Sequence, residues 1–321
     1  MKPLSANVLA LFLCLAPWTY SAARAAEETL QPESPPVAAS PAPYTLPWQL
    51  RPIMAVNVLR LDSAIAQYSD PSGNREGLAA ASVITGAYRV IPNLAVLARF
   101  GMLSNGPPAG NPSAHAFLNP LLGAVYSLKL DESFRMAFFF GMTVPVGTGG
   151  GNFPSAAARL AHSTGILARS AMDNALFGPN YLTLIPGVSL AYIAHDLTLQ
   201  LEATVLQLNR VRGERVDADA FRTNFTSGLA AGYTFTPTIA AVGELRYQRW
   251  ISNPSVSTAA SPAVDNLSFA IGPRITIKAG GITLRPGIAY AQGLIGAIAK
   301  SGFTSPTHSD HILFLDLPIF F

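Results

Sequence analysis

From residue 51 onward, strand-like segments alternate with connections of two kinds, and this alternation restricts the possible folds more than any other feature. Five short turns, such as His195-Asp196 and Ala279-Gly280-Gly281, are interleaved with six longer loops. The loops lie near residues 67–76, 105–114, 147–179, 211–219, 252–264 and 295–309. Strands that are joined by turns at one end and by loops at the other run up and down in a single antiparallel sheet.

The segments between these connections have the pattern of strands. Leu197 to Thr204 alternates apolar and polar residues, and the segment 134–142 places Phe134, Met136, Phe138, Phe140 and Met142 on one face. A period of two is typical of strands with one apolar face. Twelve strands are predicted, over residues 51–66, 77–90, 94–104, 115–130, 133–146, 180–194, 197–210, 220–235, 238–251, 265–278, 281–294 and 310–321.

The composition favours a sheet that is surrounded by lipid. Only 12% of residues are charged and 50% are hydrophobic, against about 25% charged residues in an ordinary soluble domain. No run of about 18 apolar residues follows the N-terminus, so no membrane-spanning helix is predicted. In lipid only helices and closed barrels satisfy every backbone polar group. Residues 48–321 are therefore predicted to form an all-β, transmembrane, antiparallel up-and-down β-barrel of about twelve strands.

Two segments precede the predicted barrel. Residues 1–25 have the pattern of a secretory signal peptide, with Lys2, an apolar run and the small-residue pattern Ala23-Arg24-Ala25. Residues 26–47 are rich in Pro, Ala and Ser and are predicted to be a periplasmic leader, serving as a linker or as a binding segment for a periplasmic partner. A signal peptide followed by a barrel predicts location in the outer membrane of a two-membrane bacterium, with lipid as a partner.

The C-terminal segment from Leu313 to Phe321 alternates apolar residues and ends on an aromatic residue. Such a segment is typical of the assembly signal of outer-membrane barrels, so the assembly machinery is a predicted partner. The alternative, an edge strand of a soluble fold, would leave a bare hydrophobic edge.

If the apolar faces contact lipid, the alternate residues line the interior, where ionisable groups at membrane depth are a functional hypothesis. Glu202, Arg222, Asn224, Glu244 and Arg246 fall on three consecutive strands, so cross-strand ion pairs are expected among these five. The charged ladder either lines a water-filled or gated path for small solutes, or neutralises itself and plugs a non-conducting barrel. The predicted lumen residues are Arg99, Arg135, Glu202, Arg222, Asn224, Glu244, Arg246, Gln248, Arg274, Arg285 and Asp316.

The loop over residues 147–179 is much the longest and contains a helix-like run from Ala156 to His162. In general porins the third exterior loop folds inward and narrows the pore. By this analogy Arg159, His162 and Arg169 are candidates for a constriction; an exterior cap or a mobile loop is the alternative.

The sequence does not favour an enzyme. Outer-membrane lipid hydrolases use a His-x-Ser pair, and none of the five histidines has serine two residues later. His195-Asp196 has the composition of an omptin-type protease pair, but it falls in a predicted periplasmic turn. No cofactor motif and no metal site are predicted, and the absence of a basic run argues against nucleic acid.

Two stretches carry a family resemblance, Phe177 to Tyr192 and Leu206 to Gly213. There the chain resembles the MetA-pathway-of-phenol-degradation family of outer-membrane solute channels, and the resemblance would cover residues 50–321. It implies passage of small aromatic or hydrophobic compounds. The long-chain fatty-acid channels fit less well, because they carry an N-terminal hatch and residues 27–47 are too short and proline-rich to make one.

Overall fold

A computed structural model describes residues 44–69, 76–107, 113–153, 155–214, 220–252, 265–295 and 311–321. The signal-peptide prediction and most of the predicted leader lie outside these residues. One helix, α1, spans Ala156–Ala168. The strands are β1 Val58–Ser69, β2 Glu76–Ile91, β3 Leu94–Gly106, β4 Ala114–Phe117, β5 Leu121–Lys129, β6 Phe134–Thr143, β7 Tyr181–Ala194, β8 Leu197–Arg210, β9 Phe221–Thr236, β10 Ile239–Trp250, β11 Asp265–Ile275, β12 Ile277–Ala279, β13 Ile282–Leu284, β14 Gly287–Ile295 and β15 His311–Phe320.

These strands form one closed antiparallel barrel. Each pairs with its neighbours along the chain, and β1 pairs with β15 to complete the circle. Three wall strands are interrupted, because β4 precedes β5 across Leu118–Pro120, β11 continues into β12, and β13 into β14. The barrel therefore has twelve wall strands, and the predicted fold class is confirmed. We call its two ends the turn end and the loop end, after the connections that they carry.

Most strand positions follow the sequence prediction, and the first is the exception. The predicted strand 197–210 coincides with β8, whereas β1 begins at Val58 and not at residue 51. The predicted strand starts too early because residues 51–57 are largely apolar, as a strand would be. In the structure they are not paired to a neighbouring strand. From Arg60 the alternation is regular, with Arg60 and Asp62 buried and Leu59 and Leu61 exposed.

The outer face of the barrel is apolar. Leu61, Phe100 and Leu201 are about half exposed on this face. Near the turn end, aromatic rings pair on this face, with Phe134 and Tyr192 centroids 5.2 Å apart. Apolar strand faces with aromatic girdles are the mark of a barrel embedded in lipid. Among the described residues, no helix is long and apolar enough to span a membrane.

Residues 44–57 lie inside the barrel, and we call this segment the strap. Leu46, Trp48 and Ile53 are at most 1% exposed, and the strap crosses the half of the lumen nearer the turn end. This corrects the predicted boundary between leader and barrel, because residues 44–47 of the predicted leader are packed in the lumen. The prediction that residues 27–47 are too short and proline-rich to make a hatch falls mostly outside the described residues, which show that fourteen extended residues, 44–57, suffice to cross the lumen.

The third long loop also turns inward and carries α1. The helix begins after Ser155, whose hydroxyl accepts a hydrogen bond from the amide of Ala158 at 3.1 Å. Gly165 lets α1 approach the wall, because a Cβ at that position would lie 2.5 Å from Leu103 of β3 and 2.7 Å from Phe177. Contacts with β1 to β4 place the helix against one side of the barrel.

The buried residue Asn119, in the interruption between β4 and β5, contacts both ends of this loop. Its amide nitrogen donates to the carbonyl of Gly178 at 2.6 Å, and its side-chain oxygen accepts from the amide of Gly147 at 2.9 Å. The interruption in the wall thus frees one side chain to join the entry and exit of the loop.

Candidate functional site

Two carboxylates of the wall hold the strap by its backbone. Glu244 of β10 accepts hydrogen bonds from the amides of Trp48 at 2.7 Å and Gln49 at 3.1 Å. Glu202 of β8 accepts from the amide of Arg51 at 2.9 Å and pairs with its guanidinium at 2.5 Å. Charged acceptors make the stronger hydrogen bonds in a site of this kind.

Arginines on the adjoining part of the wall, from β11 round to β1, bind the carbonyl groups of the strap. Arg274 donates to the carbonyl of Leu46 at 2.8 Å, and Arg285 donates to that of Tyr44 at 2.7 Å. Arg60 reaches the carbonyl of Pro47 at 3.1 Å. Asp316 accepts from Arg60 at 2.8 Å and also pairs with Arg274. The wall therefore binds donors and acceptors of the strap with charges of opposite sign.

The wall is recessed where strap side chains touch it. A Cβ added to Gly287 would lie 2.7 Å from the ring of Trp48, and Cβ atoms on Gly228 and Gly232 would overlap Leu50 and Thr45. Three glycines thus accommodate three strap residues, two of them on β9 and one on β14. The strap position is built into the shape of the wall as well as into its charges.

A second cluster joins the inward loop to the wall. Arg169, at the end of α1, pairs with Asp62 of β1 and with Asp173, the latter at 2.7 Å. Arg99 of β3 pairs with the other oxygen of Asp173 at 2.9 Å. Burial disfavours the charged carboxylate, but the two guanidinium groups outweigh it and hold the pKa of Asp173 below its ordinary value. Burial acts against the charge of Arg169 too, yet the two carboxylates raise its pKa.

The strap and the loop meet near the middle of the barrel. The side-chain nitrogen of Gln49 donates to the carbonyl of Arg169 at 3.2 Å. Arg246 of β10 donates to the hydroxyl of Ser170 at 3.1 Å and pairs with Glu244 at 2.6 Å. The two segments thus contact each other inside the lumen.

A small cavity remains between the strap and the wall from β1 to β6. Its volume is about 50 Å³. Apolar side chains such as Leu97, Val125 and Phe139 make most of its wall, and Asp62 and Thr85 contribute polar groups. Four arginines complete the lining, namely Arg51, Arg60, Arg99 and Arg169.

Most of the predicted lumen residues face the interior. Arg99 and Arg285 are half-buried there, and Arg222 lies with its guanidinium 5.1 Å from the ring of Tyr181. Arg135 differs, because it lies at the turn end and donates to the carbonyl of Asp131. The buried members are Glu202, Asn224, Glu244, Arg246, Gln248, Arg274 and Asp316.

The predicted ion pairs have different partners in the structure. Cross-strand pairing among the wall residues was expected, but Glu202 pairs with Arg51 of the strap and Glu244 with Arg246 on its own strand. A wall carboxylate that binds the strap has its oxygens occupied from the lumen side. The sequence gives no direct sign of this, because the strap has no periodicity.

The three loop candidates have three different environments. Arg169 lies in the lumen cluster, whereas Arg159 is exposed on α1. His162 is buried within the loop, with Nε2 2.6 Å from the carbonyl of Thr148. A carbonyl only accepts, so Nε2 carries the hydrogen, and Nδ1 has no hydrogen-bond partner among the described residues. Burial lowers the pKa of His162, although the Thr148 carbonyl acts in the opposite direction.

Four functional residues were missed from the sequence, Arg51, Arg60, Asp62 and Asp173. The placement of the first strand at 51–66 obscured three of them, although Arg60 and Asp62 alternate with Leu59 and Leu61 in the sequence. Asp173 lies in a loop without periodicity, so its ion-pair partners are revealed only by the folded structure of that loop. Across the described ranges, no three His, Cys, Asp or Glu side chains group as metal ligands.

A closed twelve-strand barrel with an apolar outer face and a charged interior belongs to the class of outer-membrane β-barrels. One similar solved structure is an outer-membrane channel from Pseudomonas putida F1, with a TM-score of 0.53 at 11% identity, covering 85% of this chain and 98% of the other. The NanC porin superposes with a TM-score of 0.49 at 10% identity, covering 82% and 98%. No protein-family model and no curated protein matches the sequence. At 11% identity the likeness to the Pseudomonas putida channel shows the fold alone.

Proposed function

We propose that the chain is an outer-membrane channel for small solutes, and that the strap closes its path in the form described here. The observation that carries the proposal is the way in which the strap is held. Its amides and carbonyls bind side chains such as Glu244, Glu202 and Arg274. Among the described residues, no backbone–backbone hydrogen bond joins residues 44–56 to a wall strand. A segment held in this way can leave the lumen without opening the barrel.

The polar wall supports a path that fills with water when the strap leaves. Glu202, Glu244 and Asp316 are at most 5% exposed while the strap is bound. Charged groups are costly at membrane depth unless they are paired or hydrated. Water can replace the strap as their partner, whereas an apolar wall would gain nothing from it. The fold similarity to a channel of Pseudomonas putida F1 is consistent with this function.

The alternative is a permanently plugged, non-conducting barrel. It is favoured by one observation, namely that the strap leaves only about 50 Å³ of cavity beside it. Side chains fill barrels of about eight strands, whereas barrels of 16–18 strands hold open channels. Twelve strands lie between these cases, so conductance has to be measured.

The proposal includes the outer membrane as location, lipid as the surrounding solvent and no enzymatic activity. The histidines are scattered, since His195 lies in a turn with positive φ and His311 lies on the outer face beside Tyr290. The assembly machinery is a proposed partner of β15, which closes the barrel onto β1. The family resemblance and its aromatic or hydrophobic solutes remain predictions.

The test is single-channel conductance of the refolded chain in a planar bilayer, compared with a variant that displaces the strap. The variant Gly228→Ala/Gly232→Ala/Gly287→Ala adds a Cβ at each recess and removes no charge. We expect the wild-type chain to open rarely and the triple variant to open at least about tenfold more often. Steric overlap at three sites is expected to offset more than 1.4 kcal/mol of strap binding.

The matched control is Gly86→Ala, because a Cβ at Gly86 meets no atom within 4 Å. It should conduct like the wild-type chain. If the wild-type chain and the triple variant both fold and neither conducts, the barrel is a scaffold and the proposed function is wrong. Circular dichroism and heat-dependent gel mobility verify that each variant is folded.

A further inference from the structure

We infer that the cavity beside the strap binds small monocarboxylates with an apolar body, and that these are the solutes of the channel. The inference names the substrate class of the proposed function and rests on it for passage. Binding itself is measured on the closed form, without conductance.

The first argument is the charge of the cavity wall. Four guanidinium groups line it, and Asp62 is the one carboxylate among its lining residues. Asp62 pairs with Arg169, so its charge is compensated before a ligand enters. The four arginines are paired as well, with Glu202, Asp316, Asp173 and Asp62, so the lining is distinguished by its number of N–H donors and not by a net charge. An anionic ligand would find several donors of the type that binds carboxylates in a fork.

The second argument identifies the two arginines with donors to spare. The side chains of Arg51 and Arg99 are 19% and 13% exposed, whereas those of Arg60 and Arg169 are 8% and 1% exposed. A guanidinium carries five N–H donors. Arg51 uses Nη1 for Glu202 and Thr204, and Arg99 uses Nη1 and Nη2 for Asp173. These contacts leave further N–H groups of both side chains unused.

The third argument is that the rest of the lining is apolar. Leu97, Val125 and Phe139 form one wall, and Leu50 and Met54 of the strap form the other. The guanidinium of Arg51 lies 4.0 Å from the centre of the Phe139 ring. A charged head beside apolar walls fits a ligand that has one charged group and an apolar remainder.

The fourth argument is size. The cavity measures about 50 Å³, and a water requires about 10–15 Å³ of such space. Room for about four waters suits the head group and first carbons of a small acid. An oligosaccharide, which carries a hydroxyl on most carbons, would meet both too little space and too few polar partners.

The experiment is titration calorimetry of the refolded full chain in detergent with sodium benzoate, benzyl alcohol and benzylamine. These probes share one ring and differ in charge. We expect benzoate to bind at least about tenfold more tightly than either of the others, because one charge-assisted hydrogen bond is enough for that difference. Equal affinity for benzoate and benzyl alcohol would overturn the inference.

Two variants locate the site. Arg99→Gln leaves Asp173 paired with Arg169 and should weaken benzoate binding roughly tenfold, and Arg51→Gln should do the same. Arg135→Gln removes the same charge at the turn end and should bind like the wild-type chain. Unchanged affinity in Arg99→Gln and Arg51→Gln, or no benzoate binding in a channel that conducts, would refute the inference and leave the channel function intact.

Discussion

The strap and the inward loop occupy the same lumen and both bury apolar side chains, yet their polar contacts with the wall differ. The strap has no regular secondary structure, and its amides and carbonyls bind wall side chains such as Glu244 and Arg274. The loop carries α1, which packs its apolar face on the wall around Leu103. A single charged cluster about Arg169 and Asp173 joins the loop to β1 and β3.

The difference indicates separate roles for the two segments. Apolar packing against a wall is strong and lost only when the helix leaves as a whole. The strap buries apolar side chains as well, but water can take over its hydrogen bonds to the wall when it leaves. The strap is therefore the better gate, and the loop is the better fixed constriction. The following predictions test this distinction by hydrogen exchange of each segment.

The largest effect is expected from removing the contact under the helix. Leu103→Ala should leave a cavity below Gly165 and weaken the docking of α1 by about 2 kcal/mol or more. Amides of residues 156–168 should then exchange at least about 30-fold faster, and those of the strap should not change. Leu201→Ala is the control, because Leu201 is 52% exposed on the lipid face. Equal acceleration in both segments would mean that strap and loop open as one unit.

A smaller effect is expected at the strap anchor. Glu244→Gln removes the charge that accepts from the amides of Trp48 and Gln49. We expect these amides to exchange roughly tenfold faster, since a hydrogen bond to a charged group contributes about 1.5–3 kcal/mol and glutamine retains part of it. Glu132→Gln, in an exposed turn, serves as the control. Faster exchange in α1 than in the strap would contradict the assignment of the strap as the gate.

The smallest effect is a dependence of the loop on pH. The pKa of His162 in the folded chain lies below its ordinary value of 6.5 because burial disfavours the imidazolium. The stability that it contributes is thus complete above that value and is lost as the pH falls toward the lower folded pKa. Between pH 7.5 and pH 5, α1 should loosen less than it does in Leu103→Ala, with no change in the strap.

The variant His162→Gln provides the matched test of that pH dependence. Its amide donates to the Thr148 carbonyl, as Nε2 does, but it does not titrate. Exchange of residues 156–168, corrected for the intrinsic rates, should then be the same at both pH values. A pH dependence that persists in His162→Gln would assign the titration to another group.

Sequence patterns predicted the barrel well because lipid and lumen impose opposite polarity on neighbouring residues. Along β8, Leu199 and Leu201 face outward while Gln200 and Glu202 face inward, so the polarity pattern itself fixes the register. The wall charges of the lumen follow from the same rule. Arg135 is the exception to this rule, because it lies at the end of its strand beside a turn. There its guanidinium binds a backbone carbonyl of the turn.

The occupants of the lumen were not predictable in this way. The strap binds through backbone groups, which every residue has, so its sequence carries no pattern for a wall partner. The sign of the strap lies in the wall sequence, where Gly228, Gly232 and Gly287 leave space for side chains from a distant part of the chain. Such glycines have meaning only when the facing segment is known. The same holds for Asp173, whose partners lie on β3 and at the end of α1.

Asn119 has a consequence for how such barrels diversify. The side-chain amide of Asn119 binds both the carbonyl of Gly178 and the backbone amide of Gly147. The segment between these two glycines therefore begins and ends at a single point of the rim. The length of this segment does not affect the circumference of the barrel. The entropic cost of closing the loop rises only slowly as residues are added. A longer or shorter segment can therefore replace this loop and change the width of the opening. The pairing of the wall strands stays the same.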